Sequence, residues 1–406
     1  MNVLYLTYDG LLDPLGDSQI LPYIEGVRSE AKNFFIISFE KKTKKATEIE
    51  AKKIYLLKKN IIWIQLSFSQ SSYIFFKVFD MLKLYFTIFK VLIFNNIDLI
   101  HARGHPTASL ALFFKQIFGF KLLFDFRGLW ADEKVTKGGW DLSKRTHLLQ
   151  YQYYKNREKK LFINSEMIVV LTKKVALEIE SILPSVSQKI TIIPCAADYN
   201  HFIPMKSKID DSAVLDSSSK NIIFGYLGSV GPMYQFQRYL RLIQLARKKD
   251  INASGLIITG NKDLAETEIK DFYQSEIPKF FKIISAKRSE IPKLINQMSC
   301  LVSFYRIKYS VISVSPTKIG ETLACGVPII CNSGIGDTNE IIKSLDSGLV
   351  ITDTSDESLT GAISALDKIL KINPSLIRNK SKEIFDLDVA AAKYRKIYTF
   401  FKSIGN

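Results

Sequence analysis

Short apolar, β-branched runs alternate with longer helical patterns along almost the whole chain, and this rhythm constrains the fold more than any other feature. In the first half the runs are "NVLYLTY", "FFIISF", "LIHAR", "KLLFDF", "MIVVLT" and "ITIIPC". In the second they are "NIIFGYL", "SGLIITG", "FKIISA", "CLVSFY", "VPIICN" and "GLVIT". Strands joined through helices run parallel, so the alternation predicts an α/β protein with doubly wound parallel sheets. A chain of 406 residues is too long for one ordinary core. Residues 205–221, "MKSKIDDSAVLDSSSKN", are polar and Ser-rich and read as a linker. Two domains meeting at a cleft are therefore expected, with ligands at the carboxyl ends of the strands, where open parallel sheets bind them.

The formal net charge is +16 and the basic groups are spread over both halves, so they do not form a basic tail. Cationic surfaces attract nucleic acid, anionic lipid and phosphorylated small molecules alike. No helix-turn-helix, zinc finger, RNP-like strand or arginine-rich tract is present, so nucleic acid is not expected as a partner. Cys195, Cys300, Cys325 and Cys331 form no CxxC pair and have no His spaced to complete a zinc site. They read as reduced core thiols. "MNVLYLTYDG" has no basic region before a long apolar run, which predicts a first strand with no signal peptide and a cytoplasmic location.

Residues 72–94, "SYIFFKVFDMLKLYFTIFKVLIF", are apolar enough to raise the question of a membrane span. Lys77, Asp80, Lys83, Thr87 and Lys90 recur every three or four positions, which breaks the uninterrupted run of ~20 apolar residues that a span needs. The first expectation is a core-facing helix with a solvated polar stripe. The second is a basic, aromatic-rich face resting on an anionic membrane, which would place the protein on the inner membrane face.

The stretch "SPTKIGETLACGVPIICNSGIGD", residues 315–337, carries the clearest chemistry. Ser315 suits a helix N-cap, Pro316 the first helical position, and Gly326 the stop. Such a start gathers free N–H groups, the positive end of the helix dipole and the Lys318 ammonium, which together favour an anion. Two strand-to-helix turns bear glycines in matching places: Gly10 and Gly16 after the first strand of the first domain, Gly228 and Gly231 after that of the second. Neither is a GxGxxG fingerprint.

In order along the chain, "DPLGDSQILPYIEGV", "DLIHARGHPTASLALFF", "FDFRGLWADE", "MIVVLTKK", "IIPCAADYNHF", "GYLGSVGPMY" and "SPTKIGETLACGVPII" resemble the retaining nucleotide-sugar glycosyltransferases of family four. The resemblance covers nearly the whole chain. It is most specific at 315–337, where the family has an acid, then Ala or Cys, Gly, a hydrophobic residue and Pro. It implies the GT-B fold, with two Rossmann-like domains facing across a cleft. Residues 1–204 would bind the acceptor, residues 205–385 the nucleotide sugar, and a C-terminal helix within 386–406 would cross back to complete the first domain.

The resemblance further implies that Glu321 accepts hydrogen bonds from the ribose hydroxyls and that the donor diphosphate lies at the helix start, on Ser315, Thr317 and Lys318. Gly16, Gly228 and Ser229 would line the donor, with Lys287, Arg288 and Arg306 as further cations. With no DxD after a strand and no His/carboxylate cluster, no metal and no cofactor are expected, and cations with helix dipoles would stabilise the leaving group. The family's second Glu, eight residues before Glu321, is here Ser313, and the Arg and Lys that usually follow the second domain's glycine turn are Ser229 and Met233. In the first domain His101 matches the first His of a family His-x-His pair, and Arg103 replaces the second. His105 reads as an exposed loop residue before Pro106, able to meet acceptor or sugar. Asp125 and Arg127 lie on the acceptor side or form an internal ion pair. The catalytic candidates are Lys318, Glu321, His105 and Arg103.

The leading expectation is a retaining, metal-independent glycosyltransferase moving a sugar to a glycan or lipid-linked acceptor in surface polysaccharide assembly. The missing charges motivate an alternative, a non-catalytic GT-B subunit that binds nucleotide or glycan and supports a partner. A sugar-nucleotide epimerase on the same fold would require acids and a His around the cleft that the sequence does not supply.

Overall fold

The computed structural model describes residues 1–69, 74–205 and 221–404. Nearly all of the expected linker at 205–221, and the first two residues of the 72–94 segment, lie outside the described residues. The chain packs as two compact units, one of Met1–Pro194 with Leu387–Asn406 and one of Cys195–Asp386. The division falls at Pro194/Cys195 and not at 204/205. Residues after Pro194 are held in the second unit by backbone pairing, with the Ala197 N–H donating to the Phe385 carbonyl at 2.8 Å.

The first unit is built on seven parallel strands: β1 (Asn2–Thr7), β2 (Asn33–Lys41), β3 (Ile61–Phe68), β4 (Leu99–Arg103), β5 (Lys121–Asp125), β6 (Met167–Val170) and β7 (Ile190–Ile192). Their order is β3-β2-β1-β4-β5-β6-β7. The first strand is thus central, with Val3–Leu6 beside both Phe34–Ile37 and Leu99–Ala102. Helices cover both faces of such a sheet, which is why the inner strands are continuously apolar. The sequence reading missed β3. Its "IIWIQLSF" is an edge strand that alternates apolar with exposed or polar positions, and it pairs with β2 from Ile61 to Phe68. Trp63 anchors it, the indole N–H donating to Ser38 Oγ at 2.8 Å.

The second unit has six parallel strands: β8 (Ile222–Leu227), β9 (Ala253–Ile258), β10 (Phe281–Ile284), β11 (Cys300–Ser303), β12 (Ile329–Asn332) and β13 (Gly348–Ile351), in the order β10-β9-β8-β11-β12-β13. Alternate residues feed two cores. Leu227, Leu301, Ile329 and Cys331 face one side, Phe224, Tyr226, Val302 and Ile330 the other. All four cysteines are buried free thiols.

The helix Leu387–Ser403 packs on the first unit, burying Tyr394, Tyr398 and Phe401. It lies against the helix Leu21–Val27, where Gly26 leaves no room for a side chain: a Cβ there would stand 2.6 Å from Ala391 Cβ. Arg395 Nη1 also donates to the Gly26 carbonyl at 3.0 Å. Gly26→Val is therefore expected to push the terminal helix outward and lower stability by about 1–3 kcal/mol, read as a lower urea midpoint.

The helix Ile74–Phe94 departs from the first expectation for it. Asp80, assigned to a solvated stripe, is fully buried and accepts from the Ser69 N–H at 2.9 Å and Ser69 Oγ at 2.7 Å. Leu84, Ile88 and Val91 face inward with it, while Phe75, Phe79 and Phe86 point to solvent. Burying the single acid with its partners turned the helix so that much of its aromatic surface faces out.

Candidate functional site

In the second sheet the chain winds outward from β8 through β9 to β10 and then crosses back to β11 on the other side of β8, so the loops after β8 and β11 flank the switch point where parallel sheets bind ligands. The helix Thr317–Ala324 starts here. Its N-cap is Pro316, not Ser315 as the sequence suggested. Proline has no N–H to leave unsatisfied at the helix start. The Ser315 hydroxyl instead accepts the Cys195 N–H at 3.1 Å. Gly326 follows the helix with φ +74, the left-handed conformation that ends it. Thr317 and Lys318 carry first-turn N–H groups with no acceptor among the described residues.

Lys318 is buried and has no carboxylate within ion-pairing distance among the described residues. Its Nζ lies 4.7 Å from the ring centre of Tyr234, 5.2 Å from Tyr305 and 5.5 Å from Tyr226. Aromatic faces attract a cation but do not neutralise it. Burial lowers its pKa to about 7. An ammonium at a helix N-terminus also opposes the helix dipole, so among the described residues only the ring faces favour the charge, and a bound anion would favour it further. Gly228, φ +122, sits opposite, and a Cβ there would stand 3.6 Å from the ammonium. The Tyr226 hydroxyl fixes the turn by donating to the Ser229 carbonyl at 2.7 Å.

One turn along, Glu321 is buried and accepts from Arg288 Nη1 at 3.1 Å. Burial raises its pKa and Arg288 opposes that rise. Arg288 also lies over the Phe202 ring, 5.3 Å from its centre. The guanidinium occupies one carboxylate oxygen and leaves lone pairs on the other for two adjacent hydroxyls. Lys287 is exposed, its backbone N–H donating to Glu290 Oε2 at 2.8 Å. Exposed Arg306 helps to line a cavity of about 460 Å³ with Gly231, Tyr234 and Gln235, beside the loop after β8. A second cavity, of about 440 Å³, lies at the opposite, amino ends of β8 to β10. Ser313 is buried with its hydroxyl donating to the Ser310 carbonyl at 2.7 Å, so it braces the turn before the helix. The tyrosine cage was not read from the sequence. Its members come from β8, the following turn and the loop after β11, and only the parallel pairing of β8 with β11 brings them together.

In the first unit His101, Arg103, Asp125 and Arg127 converge at the carboxyl ends of β4 and β5. Asp125 is fully buried, with Arg103 Nη1 at 3.4 Å, Arg127 Nη1 at 3.3 Å and His101 Nε2 at 3.7 Å. Burial alone would raise its pKa, but Arg127, His101 and Arg103 hold it well below the usual carboxylate range. The internal ion pair is thus present. His101 Nδ1 is 2.9 Å from the Tyr398 hydroxyl of the terminal helix, and burial lowers the His101 pKa. Arg103 Nε reaches Asp9 Oδ2 at 3.5 Å.

His105 is not an exposed loop residue. Gly104, φ +80, caps the helix His105–Phe118, and His105 is its buried first residue, with Nε2 2.8 Å from Glu158 Oε2. The sequence offered no cue to Glu158, far along the chain in the helix Arg145–Asn164. A second unforeseen acid, Glu40, accepts the Leu11 N–H at 2.6 Å and the Leu12 N–H at 3.3 Å, shaping the turn that leads to Gly16. There Gly16 approaches the Leu11 carbonyl so closely that a Cβ would stand 2.3 Å from its oxygen. Among the described residues no group of three His, Cys, Asp or Glu side chains is placed to hold a metal ion.

Residues 207–382 match the family described as "Glycosyl transferases group 1". No curated protein sequence matches the chain. Sucrose-phosphate synthase from Thermosynechococcus elongatus superposes with a TM-score of 0.70 at 14% identity, covering 99% of each chain. Anabaena HepE, in complex with UDP and glucose, gives 0.65 at 13% identity over 98% of this chain and 99% of its own. The lipopolysaccharide outer core galactosyltransferase WaaB gives 0.64 at 13% identity over 99% and 100%. At these identities the structures establish the GT-B fold. The chain thus has this fold over its full length, and its residues 207–382, which hold Lys318 and Glu321, are similar to the glycosyl transferases group 1.

Proposed function

We propose that this protein transfers a sugar from a nucleoside-diphosphate donor to a hydroxyl of a glycan or lipid-linked acceptor, with retention at the anomeric carbon and without a metal ion. Its place is surface polysaccharide assembly, at the inner face of the membrane. The observation that carries this reading is the Lys318 ammonium, without a carboxylate partner among the described residues, held by three tyrosine faces at a helix start and opposite Gly228. An anionic diphosphate there meets the ammonium, the Thr317 and Lys318 N–H groups and the helix dipole together. Glu321 lies one turn further on, where it takes the ribose hydroxyls. HepE, bound to UDP-glucose in its own structure, makes a uridine donor the first to try.

In the reaction the bond from the anomeric carbon to the diphosphate oxygen breaks and one to the acceptor oxygen forms on the same face. The acceptor proton passes to the departing phosphate oxygen. Lys318 and the helix start stabilise charge as it grows on the diphosphate, the effect that dominates in most group transfers. They take the place of the cations lost at Ser229 and Met233. Arg288 opposes the rise that burial imposes on the Glu321 pKa and so favours its charged form.

The test is incubation with UDP-glucose and other nucleotide sugars, alone and with oligosaccharide or lipid-linked acceptors, in EDTA. Nucleoside diphosphate release and a product of the donor's anomeric configuration, both by proton NMR, support the proposal. An inverted product, or activity that EDTA abolishes, contradicts it. Glu321→Gln is expected to raise the donor KM roughly 10- to 100-fold, the loss of a charged hydrogen-bond acceptor. The second reading, a nucleotide-binding subunit without turnover, draws on Ser313, whose hydroxyl is committed to Ser310. Nucleotide binding with no release from any donor would favour it.

A further inference from the structure

The helix Ile74–Phe94 exposes a stripe that no described part of the chain covers. Phe75, Phe79, Leu82, Phe86, Phe89 and Ile93 recur at intervals of four and three and so share one face, with Phe75 82% and Phe86 63% exposed. The stripe continues onto the neighbouring helix His105–Phe118. Phe89 meets Phe118 at 6.3 Å between ring centres, and Ile117 is 62% exposed beside it. Exposed apolar surface of this extent marks a contact with another phase or partner.

The exposed charges on the helix Ile74–Phe94 have one sign. Lys77 and Lys90 are exposed, and Lys83 lies with its ammonium 4.5 Å from the Phe79 ring centre. The only acid on either helix is Asp80, fully buried and bound to Ser69 and Lys83. An aromatic face whose own helices expose lysines and no acid fits the boundary of an anionic bilayer, where rings enter the headgroup region and ammonium groups reach lipid phosphates. A second copy of the same face would set lysine against lysine. Among the described residues no helix is long and apolar enough to cross a membrane, so the contact is with the surface.

We infer that the paired helices 74–94 and 105–118 form a docking face for anionic phospholipid, with the Phe75–Ile93 stripe immersed and Lys77, Lys83 and Lys90 on lipid phosphates. This names the surface behind the membrane station in the proposed function, and in that respect rests on that reading. The face holds the acceptor-side unit at the bilayer, where a lipid-linked acceptor resides.

The test is co-sedimentation with phosphatidylglycerol/phosphatidylcholine vesicles and with phosphatidylcholine alone. Three proteins are compared: the native chain, Phe75→Ser/Phe79→Ser/Phe86→Ser, and Lys77→Glu/Lys90→Glu. The native chain is expected to bind only the anionic vesicles and to be released by salt. Each variant is expected to bind at least about tenfold more weakly with an unchanged melting temperature, because all five side chains are exposed. Absence of binding to anionic vesicles, or variants that bind as the native chain does, would overturn the inference. So would a native chain that dimerises through this face, seen as a monomeric triple serine variant in analytical ultracentrifugation. Nucleotide titrations on the same samples separate the two readings: vesicle binding without a nucleotide response rejects the transferase reading alone, and the converse rejects the docking face alone.

Discussion

Lys318→Met is expected to slow sugar transfer at least about 100-fold, the usual effect of deleting one preorganised group that stabilises a leaving anion. Methionine keeps the length and the contact with the three rings, so the fold should persist and the loss should fall mainly on kcat. The native side chain also makes two opposite pH predictions. Its pKa is lowered by burial from 10.5 in the unfolded chain to about 7 in the folded protein. Between those values the unfolded state holds more protons, so this group's contribution to stability improves as pH rises from 7 to 10.5. Below about 7 the buried charge is present in full and costs the most. A bound diphosphate reverses the preference by holding the proton on, so nucleotide affinity should fall as pH rises above 7. Lys318→Met should flatten both trends, read by thermal melts with and without nucleotide across that range.

Asp125→Ala is expected to destabilise the first unit by about 3–5 kcal/mol, because it leaves buried Arg103 with only the exposed Asp9 as a carboxylate partner and partly buried Arg127 without its Asp125 contact. Arg103 Nη1 and Arg127 Nη1 both rest on Asp125, and the His101 it approaches is bonded to Tyr398 of the terminal helix. The native carboxyl is held far below its ordinary pKa, so its stabilisation is fully present above the unfolded value near 3.8 and is lost as pH falls below that. The variant should show a lower urea midpoint at neutral pH and a weaker dependence of stability on acid. A stable variant with lost transfer activity would instead move Asp125 from the scaffold into the chemistry.

The two parallel sheets were legible because each inner strand, buried on both faces, is a continuous apolar run, as "NVLYLT" and "LIHAR" are. The edge strand β3 was not, since half its face is exposed and its pattern is diluted by Gln65 and Ser67. The start of the 317–324 helix could be read from Pro316, Lys318 and Gly326, because capping chemistry is local. The role of Ser315 could not, because its partner Cys195 is 120 residues away. His105 was misplaced for the same reason: its position before a proline suggested a loop, while Glu158 and the aromatic rings that bury it come from other elements. The orientation of 74–94 turned on one residue, Asp80, whose burial depends on Ser69 across a turn. In each case local signals named the element and distant pairing decided which side faced the solvent.

Calorimetric titration decides whether the start of the 317–324 helix holds a nucleoside diphosphate. UDP, GDP, dTDP, ADP and CMP would be titrated into the native chain and into Glu321→Ala, with and without Mg²⁺. Selective, Mg²⁺-independent binding of one nucleoside diphosphate, weakened in the variant, is the predicted result. Heat from none of them, or identical affinities in the native and variant proteins, would contradict it.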